Sequence, residues 1–291
     1  MLKGKLTIAL LCIALSTSSC RFSEECYYTG SIDIMMDWDA LWGNIIKPDT
    51  LTVLFYKDNQ PPVKKQLVGD TIYSNIPAGP TELFLFNQPN DIRCKSIESL
   101  NNAELQLSTY FEGNIRATKE CPMICTFSNS LLVPIDKVVQ QQVSPMPIVK
   151  ELDFTVNVIR NGVMGDLKSC NATLSGIATR YSLQLKEPIR SKATVYFSLE
   201  KGNEDVFKHN FYVLGVNPDN ENDEKIEKVL SVTVVLDDGE TRSVDVDLSE
   251  QLNQFSSNVF KCTIDITISS LSTDVNIKNW EQGVWDQIII Q

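Results

Sequence analysis

The sequence has very little histidine: His209 is the only one among 291 residues. Histidine is the usual general base and a common metal ligand near neutral pH, so catalysis or metal binding through histidine has little support. The G-x-S-x-G, H-E-x-x-H and G-x-x-x-x-G-K motifs are also absent. His209 stands beside Lys208 and Asn210, and we interpret it as an inert surface residue. We therefore predict that the protein is not an enzyme and has no cofactor or metal.

Positive charge is also scarce. The chain has 26 Lys and Arg against 37 Asp and Glu, a formal net charge of −11. Removing residues 1–19, and with them Lys3 and Lys5, leaves 24 basic against 37 acidic residues, or −13. Nucleic-acid affinity depends on neutralised phosphates, and anionic lipid attracts basic segments, so neither is an expected partner of the body of the protein. We interpret the acidity as a source of solubility.

Long apolar runs are confined to the N-terminus. Lys3 and Lys5 precede an apolar run from Leu6 to Leu15, which is too short to span a bilayer as a stable helix. Small residues follow at 16–19, and then Cys20, which is the layout of a secretory signal peptide. A cysteine at this place resembles the lipobox of bacterial lipoproteins, and that resemblance implies cleavage before Cys20 and its acylation. The alternative is a plain secreted protein in which Cys20 is incidental.

The lipobox resemblance divides the N-terminus into a signal peptide, residues 1–19, and a lipidated tether, residues 20–26. Several acyl chains on one cysteine hold a protein durably, whereas one chain does so only marginally. We therefore expect Cys20 to be the sole attachment to the outer membrane. The polar, acidic Ser23, Glu24 and Glu25 resemble the surface-export signal of Bacteroidetes-type lipoproteins, which implies a place on the cell surface.

Cysteine is present but its pairing is open. Of eight cysteines, Cys12 leaves with the signal peptide and Cys20 is the acylation site. The other six allow fifteen complete pairings, or three if pairing stays within each half of the chain. They are Cys26, Cys94, Cys121, Cys125, Cys170 and Cys262. The Cys121–Cys125 spacing, with no histidine near, does not fit a zinc site.

The rest of the chain alternates as half-buried strands do. In 260–269, FKCTIDITIS, every second residue is apolar, which predicts a strand with Cys262 facing a core. Residues 230–236 and 241–248 flank Asp238-Gly239, and this predicts a hairpin. Further predicted strands cover 31–37, 51–56, 81–86, 131–135, 151–160, 181–186, 193–199, 275–280 and 285–290. Many short strands separated by turns predict an all-β fold of β-sandwiches.

The organisation predicted from this pattern is two tandem sandwiches. Pro145 and Pro147 break regular structure, so we predict a linker at 140–146. The N-terminal sandwich would cover 27–146 and the C-terminal sandwich 147–291. One short helix is predicted at 96–104.

Several segments together resemble a known family in their order along the chain. They are DWDALWGNIIKPDTLTVLFYKDN, NIPAGPTELFLFN, SPMPIVKELDFTVNVI, ATLSGIATRYSL, FYVLGV, VTVVLDDG with VDVDLSEQL, and VNIKNWEQG. In this the chain resembles the FimB/Mfa2-like fimbrial lipoproteins and the related domain of unknown function 5119. The resemblance implies two tandem transthyretin-like β-sandwiches and a role in surface fimbriae, as anchor or accessory subunit.

The family also implies how such subunits associate. Stalk subunits are thought to lose an N-terminal strand, and a neighbour's strand fills the groove by β-strand addition. Here only residues 21–26 separate Cys20 from the first strand, so a cut at Arg21 would release the lipid but no strand. We therefore expect an anchor-type subunit that keeps its lipid and joins other fimbrial subunits by β-strand addition.

Two alternatives remain open at this point. Trp38, Trp42, Trp280 and Trp285 could form a glycan-contact platform on an outer-membrane lipoprotein, or they could cap the sandwich cores. The acidic loop 219–224 could hold calcium through oxygen ligands, although it lacks the spacing of a defined calcium loop. We interpret this loop as a solvated segment.

Overall fold

The structure is a computed structural model and describes residues 28–39, 46–57, 60–163, 165–217 and 224–284. Cys20, Cys26, Trp42, Trp285, the strand predicted at 285–290 and nearly all of the acidic loop lie outside these ranges. Among the described residues, no helix is both long and apolar enough to cross a membrane.

Strands make up almost all of the regular structure. They are β1 (Thr29–Met36), β2 (Leu51–Tyr56), β3 (Val63–Leu67), β4 (Thr71–Pro77), β5 (Gly79–Phe86), β6 (Ile92–Lys95), β7 (Glu104–Leu107), β8 (Thr109–Glu112), β9 (Ile115–Thr118), β10 (Cys125–Val133), β11 (Val138–Val143), β12 (Met146–Pro147), β13 (Lys150–Asn161), β14 (Leu167–Ile177), β15 (Arg180–Ser182), β16 (Glu187–Ile189), β17 (Ala193–Lys201), β18 (Val206–Val213), β19 (Val229–Leu236), β20 (Thr241–Asp247), β21 (Val259–Ser269) and β22 (Thr273–Gly283). Within the described ranges, one helix, α1 (Ser249–Asn253), and a 3₁₀ turn, Leu100–Asn102, complete the regular structure.

The first half of the chain forms two sheets and shares a third with the second half. Sheet I has the strand order β11-β1-β4, sheet II has β12-β10-β5-β2-β3, and sheet III has β16-β15-β7-β6. Sheets I and II enclose one core, which includes Ile32, Ile34, Phe55 and Leu85. The other face of sheet II packs under sheet III in a second core, with Leu54, Phe86, Leu105 and Leu183. Sheet II is therefore covered on both faces.

The second half supplies eight strands of a ten-stranded sheet, sheet IV, which folds over a single core. Its main path is β20-β19-β14-β17-β18-β13-β21-β22, and the β8–β9 hairpin joins through β9 and β17. The sheet folds from one layer of the sandwich to the other where Glu200 and Lys201 of β17 pair with Lys208 and Phe207 of β18. Its strands alternate, with Phe154 and Phe260 packed edge to face in the core at 6.2 Å between ring centroids.

Several predictions are confirmed and others are wrong, among them the strand predicted at 181–186, because β15 ends at Ser182 and residues 183–186 form a turn. The all-β sandwich architecture, the hairpin β19–β20 and the alternating strand β21 are present, with Cys262 buried. The helix predicted at 96–104 is wrong: only the 3₁₀ turn forms, and residues 104–107 form β7. The predicted linker is also wrong at 140–143, because these residues extend β11 and pair with β1.

The two halves share structure beyond a simple junction. Strands β6 and β7 come from the first half, yet β7 pairs with β15 of the second half in sheet III. Strand β9, also from the first half, pairs with β17 in sheet IV. The boundary at 146/147 stays a prediction, because the core beneath sheet III contains residues from both sides of it.

Candidate functional site

The first described strand, β1, lies in the middle of sheet I. It pairs in parallel with β11, from Ser31–Val138 to Met36–Val143, and antiparallel with β4. Its core-facing Ile32 and Ile34 are fully buried. A strand held on both sides and buried on one face is an integral part of the fold, and its removal would expose both neighbours.

Gly30 fixes the start of β1. A Cβ atom at this position would lie 2.1 Å from the Pro134 carbonyl oxygen and 2.8 Å from Val133 Cγ1. The same turn is joined to β1 by two backbone hydrogen bonds, in which Asp136 donates to the Thr29 carbonyl and Ser31 donates to the Lys137 carbonyl. The chain after β10 therefore closes directly onto the first residues of β1. No sequence motif marks this close approach.

The other end of β1 is held by two carboxylates. Asp70 Oδ1 accepts a hydrogen bond from the Met36 amide at 2.8 Å. Asp37 accepts from the Asp39 amide, Ser144 Oγ and Gln142 Nε2. These donors, the Asp39 amide first, hold the pKa of Asp37 below its usual 3.8. The carboxylates tie β1 to the turn before β4 and to the end of β11.

The two ends of β1 face different parts of the molecule. Its start lies beside Pro77, Ala78 and the 134–137 turn. Its end lies beside Val143, from which the chain passes through β12 into the second half. The register of sheets I and II therefore places the start of β1 and the passage into the second half at opposite ends of the first sandwich.

The described tryptophans pack against cores. Trp280 stacks on Phe260 with ring centroids 6.0 Å apart, and Trp38 packs on the core between sheets I and II with Lys47 above its ring. They belong to different sandwiches, so the structure does not bring these two rings together. Their predicted glycan contacts, with those of Trp42 and Trp285, stay predictions.

A polar depression lies instead on the outer face of sheet IV. Its volume is about 470 Å³, and it is lined by hydroxyl and amide groups around one tyrosine, Tyr196. Ser198 Oγ donates to Asn171 Oδ1 at 2.7 Å across β14 and β17. The lining polar residues are Asn171, Thr173, Ser198, Ser231 and Thr233. Strand alternation places these side chains outward, but the sequence alone does not show that they meet.

The cysteine side chains of the described residues are mostly buried. Burial raises the pKa of Cys125, Cys170 and Cys262 to about 12, that of Cys94 to about 11, and that of Cys121 as well. All five are free thiols in the described part of the chain. Thiols with raised pKa values react slowly at neutral pH, so these cysteines are poor nucleophiles.

His209 is half-buried rather than fully exposed. Its ring stacks on Phe197 and Phe211, and its Nε2 lies 2.7 Å from Glu120 Oε1. The residue therefore joins the segment before β10 to β18. Within the described ranges, no cluster of three or more His, Cys, Asp or Glu side chains has the arrangement of a metal site.

The sequence matches no protein-family profile and no curated protein. Solved structures do match. One, provisionally classed as an adhesin, from Bacteroides ovatus, has a TM-score of 0.60 and 17% identity, covering 80% of this chain and 88% of that one. The fimbrial anchor protein Mfa2 from Porphyromonas gingivalis has a TM-score of 0.53 and 11% identity, covering 87% of this chain and 98% of that one.

A third match is a protein from Bacteroides thetaiotaomicron provisionally classed as polysaccharide-binding. Its TM-score is 0.51 with 9% identity, and the match covers 87% of this chain and 98% of that one. At such identities the similarity is one of fold, and the narrower resemblance to domain 5119 stays a prediction. The chain therefore has the two-sandwich β-fold of these adhesin-type and fimbrial proteins.

Proposed function

We propose that the protein is a non-enzymatic surface lipoprotein that serves as an anchor or accessory subunit of fimbriae. The observation that supports this most is the placement of β1. It begins nine residues after Cys20 and pairs on both sides within sheet I. A subunit that keeps its first strand keeps its lipid on the same continuous chain. The fold of the fimbrial anchor Mfa2 supports the same proposal.

Association with other subunits would use β-strand addition at an open sheet edge. The edge strands of the first sandwich are β4 and β11 in sheet I, and β3 and β12 in sheet II. Strand β3 has exposed Lys64 and Lys65, which disfavour further pairing, and β12 has only two residues. We therefore propose β4 and β11 as the edges that receive a partner strand.

Replacing Cys20 by Ala tests the anchor. The change lies outside both cores, so the variant should fold normally and appear in the soluble fraction, and fimbriae should be released or grow abnormally long. Cys26→Ser is the matched control, because it removes a neighbouring thiol without touching the lipobox, and it should stay with the membrane. Firm membrane association of the Cys20→Ala protein would refute the lipid anchor.

Co-purification tests the fimbrial role separately. The tagged lipoprotein, isolated from its own cells, should bring fimbrillin-like subunits with it. Recovery of a glycan importer instead would contradict fimbrial assembly and support the second candidate.

The second candidate is a glycan-binding outer-membrane lipoprotein, and the depression around Tyr196 favours it. Hydroxyl and amide groups around one aromatic ring suit a neutral sugar, because the ring stacks on C–H groups and the polar groups bond hydroxyls. If this site binds, Tyr196→Ala should abolish retention on a glycan array, while Tyr110→Ala, at an exposed tyrosine in β8, should not. Equal binding by both variants would rule out the depression.

A further inference from the structure

An apolar surface surrounds the point where the described chain begins. It consists of Tyr28, Leu132, Ile135 and Val138, which are 57%, 67%, 49% and 55% exposed. We call this the tether-end surface. Four large apolar side chains exposed at one end of a sandwich are unusual for a protein surface that meets only water.

Backbone contacts show that these residues share one end. The Ala78 amide donates to the Tyr28 carbonyl, and Val138 pairs with Ser31 in the β1–β11 ladder. Leu132 pairs with Pro80, and Ile135 stands in the turn between β10 and β11. Leu132 and Val138 are each three residues from Ile135, which is within about 10 Å at the rise of a strand.

Charge at this end differs from the rest of the protein. The segments 28–31 and 77–80 contain no charged residue, and 131–138 contains one acid and one base, Asp136 and Lys137. Lys57 adds a further positive group, since its amine donates to the Ala78 carbonyl at 2.6 Å. The described tether end is therefore close to neutral in a chain whose net charge is −11.

We propose that the tether-end surface rests on the lipid bilayer and holds the first sandwich upright. This inference rests on the proposed acylation of Cys20. Eight steps of chain separate Cys20 from Tyr28, which limits their separation to about 28 Å, so the lipid is always near this surface. Apolar faces at an interface enter about 5–10 Å, and tyrosine favours that boundary.

The proposal also explains the direction of the molecule. The second half leaves the first sandwich at the opposite end of β1, beside Val143. A tether end seated on lipid therefore turns the second half away from the membrane. The tether-end surface can be too weak to bind the bilayer alone and still orient the protein, because the acyl anchor keeps it at high local concentration near the lipid.

The experiment places a thiol label at this surface. Acylated Ile135→Cys and Leu271→Cys proteins, both with Cys26→Ser, are labelled with an environment-sensitive fluorophore and added to phosphatidylcholine vesicles. Leu271 is the matched control, because it is 95% exposed in the β21–β22 turn of the second half. The described native thiols are covered and have raised pKa values, so they should label slowly.

We expect the label at position 135 to shift to the blue severalfold more than the label at 271 and to be quenched by brominated lipid. Adding Leu132→Asp should reverse the shift while the protein still floats with the vesicles. If the protein floats with the vesicles but the label at 135 does not shift, the tether-end surface does not rest on the bilayer, although the lipid anchor is supported. Equal quenching at both positions would also contradict the proposal, because it would mean that the protein lies flat on the membrane. A shift that depends on protein concentration and occurs without vesicles would contradict it too, because it would mean that a second copy covers the surface. Acylated protein that fails to float would overturn both proposals.

Discussion

Strands β2 and β13 show two different ways of using a strand in this molecule. All six residues of β2 are buried, because sheet I covers one face of sheet II and sheet III covers the other. Strand β13 alternates, with Leu152, Phe154 and Val156 in the core and half-buried polar residues between them. A continuous apolar run is typical of a strand covered on both faces, and alternation is typical of one with a free face.

The difference has a structural cause in the connection between the halves. The layer over β2 is sheet III, which contains β15 and β16 from the second half. The second apolar face of sheet II therefore packs against strands that come partly from the second half, which links the two halves. No described residues form such a layer over the Ser, Thr and Asn residues that line the depression on the outer face of sheet IV.

The largest expected effect comes from carboxylates placed on each face of the two strands. Val53→Asp and Leu54→Asp should each destabilise the protein by more than about 4 kcal/mol, because both bury an unpaired charge. In β13, Val156→Asp should do the same, whereas Thr155→Asp should cost less than about 1.5 kcal/mol. Urea denaturation measures all four. Tolerance of Leu54→Asp would mean that sheet III does not cover β2.

A smaller effect is expected where β1 meets the β10–β11 turn. Gly30→Ala should cost about 1–3 kcal/mol, because its Cβ overlaps the Pro134 carbonyl and forces a backbone shift. Hydrogen exchange should then speed up in β1 and β11 before it does so in sheet IV. Gly283→Ala is the control, since its Cβ meets only Val259 Cβ at 3.7 Å. Equal losses for both would contradict the close approach.

Breaking the ion pair that joins β7 and β15 should reduce the free energy of unfolding by a similar or slightly smaller amount. Glu104 is buried, and Arg180 Nε donates to its Oε2 at 2.9 Å. Arg180→Ala should cost about 1.5–3 kcal/mol, because it leaves a buried carboxylate without its charged donor. Lys192→Ala breaks the exposed pair with Glu224 and should cost at most about 1 kcal/mol. If the two variants unfold at the same urea concentration, the pair does not hold the halves together.

The smallest expected effect is a dependence on acid at Asp37. Its pKa is lowered in the folded protein, so its contribution to stability is present above the unfolded pKa near 3.8 and is lost as pH falls through the folded pKa. The difference in stability between wild type and Asp37→Asn should therefore shrink on acidification below about pH 4. A difference that grows as pH falls would show that the carboxylate is not stabilised by the fold.

The sequence predicts elements whose signals are local. Alternation predicts β21, and Asp238-Gly239 predicts the β19–β20 hairpin, because both signals lie within about ten residues. Gly113-Asn114, between TYFE and IRAT, is a comparable turn signal that would have predicted the β8–β9 hairpin. The helix prediction failed because residues 96–103 form the short connection between the antiparallel strands β6 and β7, which pair from Lys95 and Glu104 onward, and only a 3₁₀ turn forms there.

Pairings between distant segments leave no such signal. Glutamines 140–142 resemble a polar linker, yet they pair with residues 33–35 more than a hundred positions away. The tether-end surface likewise joins Tyr28 to residues 132–138, each of which alone is an ordinary exposed apolar residue. Predicting such a surface requires knowing which strands pair and in what register, and neither the periodicity nor the composition of the sequence shows this.

The parallel pairing of β1 with β11 has a mechanical consequence. A pull applied between the start of β1 and the second half enters at the start of β1 and leaves through the end of β11. The two strands would then be pulled in opposite directions along their length, which loads all six β1–β11 residue pairs in shear at once. Lifetimes under force follow the unfolding rate, and a ladder that must break as a unit fails slowly. The pairing of the first strand would thus determine how long the first sandwich stays folded under force.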